Sequence, residues 1–347
     1  MNSINDLVRP NIRLLEPYSS ARDEFSGTEG VFLDANENPF GNLNRYPDPN
    51  QTELKKALAE LKNISADNIF IGNGSDEPID LLFRIFCTPE KDRILLCPPT
   101  YGMYDVAASI NAIEPIRIPL TEDFQLNIEA IQDANDAEEI KLIFLCSPNN
   151  PTGNTLNDVE TVLQFFKGIV VVDEAYIDFS SNPSFIEKLS VYPNLVILQT
   201  FSKAWGLASV RVGMAYASTA IISLMNKVKP PYNVSKLNQD TALEALKNSA
   251  TIQAQTEALI AERKTLEQAL AKLKCVNKIY PSDANFCLVE VDNAPALYTY
   301  LIERNIITRN RHSVVNNCIR ITIGTATENQ RLIDALNTYE NEKSTIY

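Results

Sequence analysis

Short, wholly apolar runs recur along the first two thirds of the chain, each followed by an amphipathic stretch. NIFI (68–71) predicts a strand, and DEPIDLLFRIF (76–86) a helix that opens on acidic residues. RILLC (93–97), a helix near 102–110 and the strand IRIPL (116–120) come next. KLIFLC (141–146), GIVVVD (168–173) and NLVILQ (194–199) are continuous rather than alternating, the pattern of strands buried on both faces. With helical patterns between them, these runs predict parallel β-α-β units. VRVGMAYA (210–217) predicts one more strand of the same sheet.

From about 235 to 274 the pattern changes to a long stretch free of Gly and Pro, rich in Ala, Leu, Glu and Lys. It predicts one or two long helices leaving the sheet. NFCLVEV (285–291), a helix near 293–304, NNCIRITI (316–323) and a helix near 327–340 then predict a smaller α+β unit. The fold class is α/β, a large mostly parallel-sheet domain with a smaller α+β domain. The expected division is 31–235 for the large domain, with 1–30 and 236–347 forming the small one.

Composition narrows the function more than the fold. The 347 residues suit roughly two domains at about 150 each. Hydrophobic residues are 45% and charged residues 22%, an ordinary globular balance. The formal charge of -13 disfavours nucleic acid as a partner, so any anionic ligand must be met by clustered Arg and Lys. A lone histidine, His312, lies among polar neighbours and reads as a solvated loop residue. His-rich metal sites are thereby excluded, and no metal is expected. The six cysteines show no C-x-x-C pair, and Cys87, Cys97, Cys146 and Cys287 sit in apolar runs like buried thiols of a reducing compartment. With no apolar leader and no run of about 18 apolar residues, the expectation is a soluble, cytoplasmic protein with no membrane partner.

In an open parallel sheet, ligands bind beyond the carboxyl ends of the strands. After NIFI comes Gly72-Asn73-Gly74-Ser75-Asp76, a glycine turn into a helix N-terminus and so an anion site. After KLIFLC comes Ser147-Pro148-Asn149-Asn150-Pro151-Thr152-Gly153, and after GIVVV comes Asp173-Glu174-Ala175-Tyr176. NLVILQ is followed by Thr200-Phe201-Ser202-Lys203-Ala204-Trp205-Gly206, with Arg211 beyond. A dinucleotide fingerprint fails because Glu77 stands where G-x-G-x-x-G needs its third glycine. VVVDEA resembles an ATPase strand, but the chain lacks a phosphate-loop Gly-Lys. A turn or a lysine alone is commonplace; their joint arrival at successive strand ends is not. A lysine that condenses with an aldehyde, a carboxylate for a pyridinium, donors for a phenolic oxygen and a phosphate cradle suit pyridoxal 5'-phosphate.

The segment Thr200-Phe201-Ser202-Lys203-Ala204-Trp205-Gly206-Leu207-Ala208 through Arg211-Val212-Gly213 resembles the lysine signature of fold-type I pyridoxal-phosphate aminotransferases. Asp34-Ala35-Asn36-Glu37-Asn38-Pro39, Arg45-Tyr46-Pro47 and Pro98-Pro99-Thr100-Tyr101-Gly102 bring it closest to the histidinol-phosphate aminotransferases. Ser209 departs from their usual glycine. The resemblance implies Lys203 as the cofactor's covalent partner and proton shuttle, and Asp173 at the pyridinium nitrogen. It implies Asn150 and Tyr176 at the ring oxygen and Tyr101 on the ring face. The phosphate would fall to Gly74, Ser75, Asp76, Ser202 and Arg211, joined by Tyr46 from the neighbouring subunit of a homodimer with shared sites.

At the substrate end the same resemblance implies Arg320, Arg309, Tyr18 and Tyr46. The substrates would be L-histidinol phosphate and 2-oxoglutarate, giving imidazole acetol phosphate and glutamate in histidine biosynthesis. A guanidinium fork serves carboxylate and phosphate alike. An aminotransferase for aromatic amino acids and a threonine-phosphate decarboxylase share the cofactor residues and stay open as alternatives.

Overall fold

The computed structural model describes residues 3–18 and 30–344. Seven strands form one sheet: β1 (Ile69–Asn73), β2 (Arg93–Leu96), β3 (Glu114–Arg117), β4 (Ile140–Cys146), β5 (Ile169–Asp173), β6 (Leu195–Thr200) and β7 (Val212–Ala217). Their spatial order is β1-β7-β6-β5-β4-β2-β3. Every residue of β4, β5 and β6 is buried, which is why these runs carry no polar alternation. The pairs β2–β3, β2–β4, β4–β5 and β5–β6 are parallel, while β7 is antiparallel to both its neighbours. The reversal follows from its connection. The segment 201–211 holds a 3-10 turn and no crossover helix, so the chain can only turn back on itself.

The helix Asp76–Phe86 matches its sequence reading, and Ile79, Leu82, Phe83 and Phe86 bury its inner face against the sheet. Phe83 stacks on Phe144 of β4 with centroids 5.4 Å apart. On the opposite face, the helix Thr52–Lys62 packs Leu54 and Leu58 into a second core with Ile143, Val170 and Ile197.

A four-stranded antiparallel sheet follows, ordered β10-β11-β9-β8, from β8 (Val276–Ile279), β9 (Phe286–Val291), β10 (Arg309–Asn310) and β11 (Cys318–Thr322). Its strands alternate. Cys287, Val289, Ile319 and Ile321 point into a core with Leu266, Leu297 and Leu336 from the helices Ser249–Leu270, Ala294–Glu303 and Ala326–Ser344. The other face carries Phe286, which meets Tyr176 edge-on at 5.1 Å, so the two sheets join beside the end of β5.

Two expectations change. The stretch 235–274 is two helices, Lys236–Lys247 and Ser249–Leu270, meeting at Asn248. The first does not leave the large sheet, since Ala242 is buried in the core that holds Leu54 and Leu58. The N-terminal residues were expected on the small unit, but Leu7, Val8 and Ile12 pack with Ile85, Ile222 and Met225 on the large one. Arg9 N donates to Ile85 O at 3.0 Å and Lys227 Nζ to Arg13 O at 3.1 Å, which ties the segment down. Residues 19–29 lie outside the described ones. All six cysteines are buried free thiols, and His312 is exposed, its Nδ1 accepting from Asn317 N. Among the described residues, no helix is long and apolar enough to cross a membrane.

Candidate active site

The carboxyl ends of β1, β4, β5 and β6 open onto one cavity. Ser75, Asp76, Tyr101, Asn150, Asp173, Tyr176, Ser202, Lys203 and Arg211 line it, with Cys146, Ala175, Thr200 and Ala208. Parallel strands put these ends at one rim of the sheet, so residues far apart in sequence converge. The lysine turn is fixed by backbone bonds. Phe201 N reaches Val212 O, Gly206 N reaches Lys203 O, and Leu207 N reaches Phe201 O. Ser209 is exposed in the 3-10 turn Ala208–Val210, away from the cavity lining. Lys203 Nζ makes no hydrogen bond or ion pair among the described residues and stands 5.5 Å from the Tyr176 ring centroid. Partial desolvation, then the Arg320 charge, hold its ammonium below the usual lysine range; Asp173 and Asp76 oppose the shift.

Asp173 closes the floor, 2% exposed. One carboxylate oxygen accepts from the Tyr104 hydroxyl at 2.7 Å and the other from Ala175 N at 3.0 Å. Burial raises its pKa against these bonds. A carboxylate sealed from water without a paired cation is costly, so the site is built for a positive group. A protonated pyridine nitrogen is such a group.

The phosphate end is a close approach of two backbones. Gly74 sits at φ +70, and a Cβ there would lie 2.4 Å from Arg211 Nη2. A Cβ on Gly213 would lie 2.2 Å from Ser75 N. The first turn of Asp76–Phe86 therefore presents its free N–H groups beside Arg211, whose guanidinium donates to Ser202 Oγ at 3.4 Å and Asp76 Oδ2 at 3.3 Å. Helix dipole, hydroxyls and guanidinium together fit a phosphate. With Asp173 and Lys203, the set fits pyridoxal phosphate from end to end.

Across the cavity, the amide of Asn150 donates to Tyr176 Oη at 3.4 Å and its oxygen accepts from Arg320. Arg320 lies directly opposite Arg309 on the β10–β11 ladder, so both side chains take the face that looks onto the large sheet. Burial, then the Arg309 charge, lower the Arg320 pKa. Arg309 is exposed, Tyr18 is exposed, and half-exposed Tyr46 stacks on Tyr232 with centroids 4.3 Å apart. None of these three lines the cavity of its own chain.

Three contributors were not read from the sequence. Tyr104 holds Asp173, and the available signal was its place three residues after Tyr101 at a helix start, where the two rings meet edge-on at 5.5 Å. Cys146 ends β4 opposite Asp173 and lines the cavity as a buried thiol. Arg311 follows Arg309 by two residues and joins its face.

The model of the family Aminotransferase class I and II matches residues 26–336. A histidinol-phosphate aminotransferase of Cytophaga hutchinsonii is 52% identical over 346 residues, 97% of this chain and 99% of that one. One from Bacteroides thetaiotaomicron is 53% identical over 347 residues, 98% of this chain and 100% of that one. Among solved structures, the histidinol-phosphate aminotransferase of Clostridium acetobutylicum superposes with TM-score 0.80 at 25% identity, covering 87% of this chain and 92% of that one.

Proposed function

The chain belongs to the class I and II aminotransferases, among the histidinol-phosphate aminotransferases, and we propose that it moves the amino group of L-histidinol phosphate to 2-oxoglutarate. The products are imidazole acetol phosphate and L-glutamate, and the reaction belongs to histidine biosynthesis. The observation that carries the substrate end is Arg320, which donates to Asn150 of the cavity lining and has Arg309 opposite it on the β10–β11 ladder.

Pyridoxal phosphate, when bound, supplies an aldehyde for the substrate amine and a ring that takes up the electron pair left at the reacting carbon. Asp173 keeps the ring nitrogen charged, a task its buried carboxylate performs because water cannot compete for the charge. Asn150 and Tyr176 would donate to the ring oxygen, and Tyr101 would lie against the ring. Ser75, Asp76, Ser202 and Arg211 would hold the phosphate. Lys203 Nζ would take the proton from the carbon bearing the substrate amine and deliver it to the cofactor carbon on the far side of that nitrogen. Its lowered pKa keeps more neutral amine available at neutral pH than an ordinary lysine has.

In one half-reaction Arg309 and Arg320 hold the substrate phosphate, and in the other Arg320 grips the glutamate carboxylate. Tyr18 lies outside the cavity and would close over the substrate. Tyr46 serves the site of a second copy. Val31, Leu33, Phe40 and Leu43, which precede it in the chain, are exposed and give that copy apolar side chains to cover.

The test is the visible absorbance of the cofactor-loaded protein during titration with L-histidinol phosphate alone. Loss of the cofactor band, and its return with 2-oxoglutarate, is the expected result. A band that ignores histidinol phosphate but responds to an aromatic amino acid overturns the substrate. Carbon dioxide release from threonine phosphate overturns the transferase reaction.

A further inference from the structure

Arg309 and Arg320 are not alone on their face of the small sheet. The β10–β11 pairing continues past Arg309↔Arg320 and Asn310↔Ile319 with a bond from Arg311 N to Cys318 O at 2.9 Å. That bond carries the ladder one residue past β10 and sets Arg311 opposite Cys318, so Arg311 takes the face of Arg309, and Cys318 that of Arg320. Ile319 and Ile321 fill the opposite face in the helical core. All three arginines therefore point toward the large sheet, where Arg320 meets Asn150 and Phe286 meets Tyr176.

Arg311 is half-buried, and its side chain has no hydrogen bond or ion pair among the described residues. Its Nε is sealed from solvent with no partner. An arginine on an ordinary surface turns its fork to water; this one keeps part of it dry and unmet. Its charged neighbours make this costlier, because burial, then Arg320 and Arg309, all disfavour its charge, and Tyr176 alone favours it. The acid nearest along the ladder is Glu290, opposite Cys318, and it accepts the Tyr280 hydroxyl at 3.1 Å rather than pairing with an arginine. Three guanidinium groups thus gather on one face with no paired carboxylate among the described residues, an arrangement that repels itself until an anion arrives.

Resting on the function proposed above, we infer that Arg311 is a third arm of the anion site and makes it select a doubly charged phosphate ester over a singly charged group. One planar fork satisfies a carboxylate, which offers two oxygens and one charge, so Arg320 alone suffices for it. A phosphate monoester offers three terminal oxygens and nearly two charges, and its further oxygen edges give Arg309 and Arg311 acceptors that a carboxylate lacks. Arg311 is thus a specificity residue for the amino donor and is not needed by glutamate.

The experiment uses the cofactor-loaded enzyme, the variants Arg311→Gln and Arg311→Lys, and two competitive inhibitors of one shape, methyl phosphate and methyl sulfate. At about pH 8, well above the second phosphate pKa of about 6, the two are a dianion and a monoanion of nearly the same shape. In the unaltered enzyme methyl phosphate should bind much the better. Arg311→Gln should weaken methyl phosphate and raise the KM for histidinol phosphate by about 10- to 100-fold, the loss expected for a charged hydrogen-bonding partner. Methyl sulfate, the KM for glutamate and kcat should stay nearly constant, and Arg311→Lys should recover part of the loss. Equal losses for both inhibitors, or none, overturn the inference, as does an equal rise in both KM values. If the unaltered enzyme ignores histidinol phosphate, the proposed function fails, while the two inhibitors still decide the role of Arg311. Unchanged circular dichroism and cofactor content confirm that the variants are folded.

Discussion

The hydroxyl of Tyr104 donates to Asp173 Oδ2 at 2.7 Å, and both side chains are sealed beneath the cavity. Tyr104 also stacks on Phe144 with centroids 4.8 Å apart, so its ring is locked by the core and its hydroxyl has one direction to point. The bond opposes the rise in pKa that burial imposes on Asp173. It favours the ionised carboxylate, which is the state a pyridinium requires.

Tyr104→Phe keeps the stacking and removes the bond. Burial then pushes the Asp173 carboxyl further up, and its hold on a charged ring nitrogen weakens. Cofactor affinity, followed by visible absorbance, should fall by about 10- to 100-fold, since hydrogen bonds to charged groups are worth about 1.5–3 kcal/mol. An unchanged affinity and kcat would remove Tyr104 from the site.

That pair shows where sequence reading succeeds and where it stops. Lys203, Asp173 and Asn150 end or follow continuous apolar runs, and the parallel sheet brings such ends to one rim whatever the loops do, while Arg211 reaches that rim immediately before the antiparallel β7. Tyr104 lies inside a helix, and its partner is set by how that helix packs on β4, a relation between elements distant in sequence. The same limit explains the N-terminal segment. Leu7, Val8 and Ile12 read as apolar, but their burial against Ile222 and Met225 depends on a cleft that local pattern does not encode. The two-residue strand β10 is too short to show alternation, so Arg311 became visible only through its register with β11.

Lys203→Ala should reduce turnover below detection. It should also abolish the cofactor label that borohydride reduction leaves on the denatured chain. The unaltered lysine supplies a second check on the cofactor-free protein. Desolvation and the Arg320 charge favour the neutral amine, so its rate of acylation should inflect below the ordinary lysine value of about 10.4. Normal turnover by the alanine variant, or an inflection at or above the ordinary value, contradicts the assigned role.

Gly213→Ala tests the phosphate cradle through backbone rather than charge. The new Cβ would lie 2.2 Å from Ser75 N and 2.4 Å from Gly74 C, and neither backbone atom can rotate aside. The β1 turn must move off β7, spoiling the line of N–H groups at the helix start. Stability should fall by about 1–3 kcal/mol, as for other overpacked sites. Cofactor affinity should fall with it, and the two are measured by thermal melting and absorbance titration. A variant that melts normally and binds normally would show that the two backbones need not touch.

Tyr46 presents the sharpest question about assembly, because it stacks on Tyr232 and lies outside the cavity of its own chain. If it serves a second copy, each site takes Lys203 from one chain and Tyr46 from the other. Lys203→Ala chains and Tyr46→Phe chains, each weak alone, then complement on mixing. In a mixed dimer, one site carries both defects and the other carries neither. Random exchange puts half the chains into mixed dimers, so about a quarter of the unaltered activity should return. If Tyr46 serves its own chain, every site in the mixture keeps one defect and no activity returns. Co-refolding the two variants and assaying against each alone separates these cases, and sedimentation of the mixture confirms that exchange took place. A fully active monomer would overturn the shared site outright.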